Sequence, residues 1–100
     1  MNDTLANAAI QAVTAAGLTA GTKADNVVIV GGNCQAVGIE NIKSGVMTAT
    51  VFDSPVEEGA LVADKAAEFF AGAKLDKAYY LKPLSITAAN VADVAQLCSY

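Results

Sequence analysis

Apolar residues at the start of the chain recur at threes and fours: Leu5, Ala8 or Ala9, Ala12, Val13 and Ala16 trace one face of a helix, with Asn2 or Asp3 ahead of it as N-cap. Gly17 and Leu18 predict its stop, the glycine in the left-handed C′ position and the leucine packing back on the last turn. A polar loop over 19–26 follows, with Gly21 and Asp25–Asn26 suited to a turn. Val27–Val30 is then apolar without alternation, the pattern of a strand covered by helices on both faces. Gly31 and Gly32 predict a tight backbone turn, after which Asn33 caps a helix running to about Ser44 on Val37, Ile39 and Ile42.

Gly45 ends that helix, and the β-branched content of Val46–Phe52 predicts a second strand. Asp53 and Ser54 close it, and Pro55 suits the first position of a helix through Ala71, with Val56, Ala60, Ala63, Ala67 and Phe70 on one stripe. Glu57 and Glu58 in its first turn complement the helix dipole. Gly72 is its C-cap, and Lys74, Asp76 and Lys77 form a solvated turn. Residues 78–84 are expected to form a third extended segment, which Pro83 confines to an edge or a crossing. Thr87 then caps a last helix bearing Val91, Val94 and Cys98. The order α-β-α-β-α-β-α implies an α/β fold of three layers, its strands parallel and joined by right-handed crossovers.

One hundred residues are enough for a single domain, and a hydrophobic content of 54% excludes disorder. No run of about 18 apolar residues crosses a membrane, and M-N-D-T-L-A-N lacks the basic and apolar regions of a signal peptide, so no address is expected within the chain. A net charge of −4 with six lysines and no arginine argues against nucleic acid as a partner. Cys34 and Cys98 lack zinc or thioredoxin spacing and are expected as buried free thiols, with a disulfide as the alternative. The absence of histidine removes the usual general base and most metal sites. No catalysis, metal or cofactor is therefore expected. A dinucleotide fingerprint fails because Asn33 and Ala36 stand where it needs glycine, and Glu57 and Glu58 beside Asp53 are explained by the helix dipole without a glycosidase pair.

In an open parallel sheet the ligand crevice lies past the carboxyl ends of the strands, which makes Asn33 and Asp53 the candidate binding residues. Asn33 also has a capping duty to explain it, whereas Asp53, between an apolar strand and a proline, has no evident structural one. A pair of ligand hydroxyls is a natural partner for such a carboxylate. Phe52, Tyr79 and Tyr80 could stack on a ligand ring, but beside strands they are expected in the core.

Five motifs in order, N-D-T-L-A-N-A-A-I-Q-A at 2–12, V-V-I-V-G-G-N at 27–33, I-K-S-G-V-M-T-A-T-V-F-D-S-P at 42–55, G-A-L-V-A-D-K-A-A-E at 59–68 and I-T-A-A-N-V at 86–91, resemble the C-terminal part of a periplasmic sugar-binding protein. The family is that of the ribose-type, type 1 solute-binding proteins of ABC transporters, whose fold is shared by LacI-type effector domains. The resemblance implies a periplasmic-binding-protein-like α/β fold present as an incomplete lobe. Residues 1–53 would be part of the second lobe, 54–77 a helix belonging to the other lobe, and 78–100 a crossing strand and terminal helix. It implies ligand contacts at Asn2, Asn33 and Asp53, of which Asn2 would otherwise read as a cap. Gly32 and Asn33 depart from the bulky residue and the aspartate that the family commonly has there, so the ligand preferred can differ from a plain pentose.

The function so implied is binding of a monosaccharide or similar small polar ligand for an ABC permease or membrane sensor, in the periplasm or outside the cell. The alternatives are the effector domain of a LacI-type regulator and a dimerising or interaction fragment without ligand. One wall of the site would lie in this chain and the other outside it, so the isolated chain is expected to bind weakly or not at all, and to form a homo-oligomer.

Overall fold

A computed structural model of the chain describes residues 2–98. They divide into two compact units, one made of the residues up to Phe52 together with those from Leu84 onward, the other of Asp53–Pro83.

The first unit opens with helix α1, Asp3–Ala15, capped by the Asn2 side chain, which accepts a hydrogen bond from the Leu5 amide. The stripe that the helix buries is Asp3, Ala6 and Ile10, with Val13 packed at its edge. At its end the Leu18 amide bonds the Val13 carbonyl and the Gly17 amide that of Thr14, with Gly17 at φ 75°. This is the paired-bond stop expected there, although Leu18 itself stays 57% exposed. The same stop recurs at Gly45 after α2, Ala36–Lys43.

The sheet is built outward from Val27–Val30. Ala20 pairs with Val27 and Val30 with Ala49, both in parallel. Strand β1, Ala49–Phe52, then pairs antiparallel with β2, Leu84–Thr87, in the register Ala49 to Thr87 and Phe52 to Leu84. The last strand thus starts where the expected 78–84 segment ends, and it runs against its neighbour rather than along it. Pro83 has no amide hydrogen to give a ladder, which places the strand start just after it. Thr87 lies inside β2 and caps no helix. Its Oγ1 accepts from the Ala89 amide, and Asn90 stands as N-cap of the short α4, Val91–Val94, which passes into a 3-10 turn, Ala95–Cys98.

The core lies on one face of this sheet, where Ala20, Ile29, Thr50 and Ile86 meet Ala6 and Ile10 of α1, Ile39 and Ile42 of α2, Met47, Val91 and Cys98. The other face carries Val28 and Val30, 60% and 45% exposed, so the run 27–30 is not covered on both sides as its sequence suggests. A continuous apolar run reports what the two faces suit, not whether this chain supplies both covers.

Cys34 and Cys98 form a disulfide, which corrects the expectation of free thiols. Burial explains why both read as hydrophobes. Their proximity arises only when the chain end folds back to the loop after Val30, which spacing alone does not reveal.

The second unit is dominated by α3, Pro55–Phe70. Pro55 occupies its first turn as expected, and Ser54 caps it by accepting from the Glu57 amide. None of its residues is buried, Phe70 being 86% exposed. Its Lys65 pairs with Glu68 and sits over the Tyr79 ring, while the Tyr79 hydroxyl accepts from the Asp76 amide. These contacts tie the segment after α3 back onto the helix.

Candidate functional site

The loop from Gly31 to Gln35 follows the carboxyl end of the Val27–Val30 segment and carries Asn33. The expected turn at the two glycines is not where the backbone reverses hand. Asn33 and Cys34 are the left-handed residues, at φ 73° and 50°, and the N-cap position of α2 falls to Gln35 rather than to Asn33. Asparagine visits this region readily, and a cysteine beside it does so only under constraint.

Three elements hold the loop. Asp3, wholly buried at the start of α1, donates its amide to the Gly32 carbonyl at 3.0 Å. Its Oδ2 accepts from the Gln35 amide at 2.7 Å, and its Oδ1 from Thr50 Oγ1 at 2.7 Å. Thr50, also wholly buried, accepts in turn from the Cys34 amide at 3.4 Å. Gln35 returns the contact, its Oε1 accepting from the amide and hydroxyl of Thr4. The disulfide anchors Cys34 from the side of the C-terminal turn. A buried carboxylate is tolerated here because both oxygens accept hydrogen bonds.

Gly31 and Gly38 take their meaning from the same carboxylate. A Cβ at either position would overlap the Asp3 side chain, so the two glycines make the room into which Asp3 fits. Sequence reasoning saw Asp3 only as a cap. The available signal was its spacing from Ala6 and Ile10, which sets it on the buried stripe of α1.

Of the three candidate binding residues, Asn2 and Asn33 come together at one end of the first unit, since Asn2 precedes the residue whose amide bonds Gly32 and Asn33 follows Gly32. Asn33 is exposed, and Asn2 is half-buried with its Oδ1 committed to the helix cap. Asp53 is exposed, follows β1 directly, and opens the second unit, where Ser54 does the capping. Chemically, an amide at 33 can donate and accept at once, while a carboxylate at 53 accepts from two hydroxyls. Of the aromatics expected in the core, Phe52 packs at its edge, while Tyr79 and Tyr80 are exposed. Among the described residues no group of three or more His, Cys, Asp or Glu side chains could hold a metal ion, and no helix is long and apolar enough to cross a membrane.

No protein-family model matches the chain, and no curated protein does. Solved structures do. The Caulobacter myo-inositol binding protein bound to myo-inositol is 31% identical, with a TM-score of 0.69 over 97% of this chain and 31% of that one. An ABC transporter solute-binding protein from Bacillus halodurans C-125 with bound myo-inositol is 27% identical, with a TM-score of 0.67 over 96% of this chain and 31% of that one. An ABC transporter periplasmic solute-binding protein from Actinobacillus succinogenes 130z with bound D-allose is 26% identical, with a TM-score of 0.69 over 92% of this chain and 31% of that one. The chain therefore spans about a third of the length of these structures, all of them binding proteins and two of them solute-binding proteins of ABC transporters. Over nearly its whole length it has part of the type 1 periplasmic-binding-protein fold, and it is similar to part of the periplasmic sugar-binding proteins of ABC transporters.

Proposed function

We propose that the chain forms part of the binding site of an ABC-transporter solute-binding protein for a monosaccharide or a cyclic polyol, with Asn2, Asn33 and Asp53 as its ligand contacts. The observation that carries this reading is the match of nearly the whole chain to structures holding D-allose or myo-inositol. Both ligands are rings bearing several hydroxyls, the chemistry that an amide and a carboxylate recognise by paired hydrogen bonds. In this reading the opposing wall belongs to the remaining two thirds of such a protein. Binding would close the two walls, the ligand selecting the closed state.

The Cys34–Cys98 disulfide favours an oxidising compartment, and with it a periplasmic or extracellular transport protein over a cytoplasmic effector domain of the LacI type. Delivery to a permease or sensor follows from the transport reading. For the chain by itself a self-associating state is favoured by the exposed Val28, Val30, Val56, Val62, Phe69 and Phe70.

The test is a chimera in which this chain replaces the equivalent third of the Caulobacter myo-inositol binding protein, titrated calorimetrically with myo-inositol, D-allose and other monosaccharides. A chimera that melts in one sharp transition and binds at least one of them supports the reading. One that melts in the same way and binds none sinks it.

A further inference from the structure

The geometry points to Asp3 as the positioning residue of the site: it holds the left-handed Asn33–Cys34 turn from below and so fixes the direction in which the Asn33 amide meets a hydroxylated ligand. The inference rests on the ligand role proposed for Asn33. Asp3 itself is wholly buried and touches no ligand. It grips the loop on both sides of the turn, at the Gly32 carbonyl before it and the Gln35 amide after it, and reaches the turn itself through Thr50 to the Cys34 amide. Two successive left-handed residues that are not glycine persist only where surrounding groups over-determine them, and such strain gathers at binding sites. Gly31 and Gly38, which leave room for the carboxylate, show that the packing is built around it. A plain helix cap would require none of this, and that duty is filled by Asn2.

Asp3→Asn keeps the size of the side chain but removes its charge and, with Nδ2 toward Thr50, forces that hydroxyl from donor to acceptor, so the charge-assisted grips on the Gln35 amide and on Thr50 both weaken. Native-state amide exchange on the 100-residue chain, without ligand, reads the result. Exchange at Cys34 and Gln35 should quicken about tenfold or more in Asp3→Asn, while an Ile42→Val core variant leaves those two amides no faster than the rest of its unit. Equal acceleration in both variants, or none in Asp3→Asn, overturns the proposal. Should Asp3→Asn not fold, Thr50→Val is measured instead, with selective acceleration at Cys34 expected and its absence decisive against the idea.

Calorimetry on the chimera supplies the second arm. Asp3→Asn should weaken binding about tenfold when Asn33 is present and have no further effect in an Asn33→Ala background. An equal loss in both backgrounds overturns positioning through Asn33. If Asn33→Ala by itself leaves affinity unchanged, the ligand role of Asn33 fails, whatever the exchange data say of Asp3.

Discussion

Cys34 and Cys98 are 64 residues apart in sequence, yet their Cα atoms lie 5.0 Å apart and their sulfurs are bonded. In the chain-entropy model a loop of this length, closed covalently, stabilises the fold by about 4 kcal/mol. Urea unfolding with and without dithiothreitol, together with a Cys34→Ser, Cys98→Ser double variant, measures it. The midpoint should fall by a large fraction of its value in both cases, and an unchanged midpoint would show that the bridge contributes nothing.

Gly31 and Asp3 are coupled sterically. Gly31→Ala should cost about 1–3 kcal/mol, since the new methyl group must displace a buried carboxylate. Asp3→Ala should cost a similar amount by stranding the Gln35 amide and the Thr50 hydroxyl. The double variant should be more stable than the sum of the two losses by about 1 kcal/mol or more, because the methyl then occupies the space left by the carboxylate. Strict additivity in chemical denaturation would contradict the packing described.

Asn33 separates backbone from ligand. Alanine at 33 must hold φ 73° without a side chain that bonds locally, a loss of about 1 kcal/mol, whereas glycine adopts that region freely. Asn33→Gly should therefore melt above Asn33→Ala, while both lose the amide and bind sugar equally poorly in the chimera. A glycine variant that melts no higher than the alanine variant would place the turn's hand elsewhere.

Asp53 and Ser54 are neighbours with opposite expected phenotypes. Ser54→Ala removes the α3 cap and should cost about 1 kcal/mol of stability without touching affinity. Asp53→Ala, at an exposed position with no capping role, should change stability by less than about 0.5 kcal/mol. Its effect belongs to binding, about tenfold or more in the chimera, the size of a charge-assisted hydrogen bond. Unaltered affinity in Asp53→Ala would remove this residue from the site.

What could be read from the sequence was what is local. The glycine stops after α1 and α3, the Pro55 start and the Asn2 cap are each decided within one helical turn, and each lies where the residues indicate. The end of β1 just before Asp53 is legible for the same reason, whereas Val27–Val30 forms only isolated bridges at its two ends. What could not be read depends on distant chain. The Asp3 carboxylate needs Thr50 and Gln35, the disulfide needs the fold-back of the chain end, and the bare face at Val28 and Val30 needs knowledge of what lies over it. The start of β2 is an intermediate case: Pro83 by itself marks a break in any ladder, but the apolar Tyr79–Leu81 run ahead of it also has the composition of a strand.

The bridge between Cys34 and Cys98 also encloses β1, the whole of Asp53–Pro83 and β2 in one covalent ring. A protease that cuts once within the exposed stretch between Gly72 and Lys82 opens the ring without releasing a piece. The nicked molecule keeps its mass on a non-reducing gel and parts into two fragments only when thiol is added, so damage to this segment is silent until the cystine is broken.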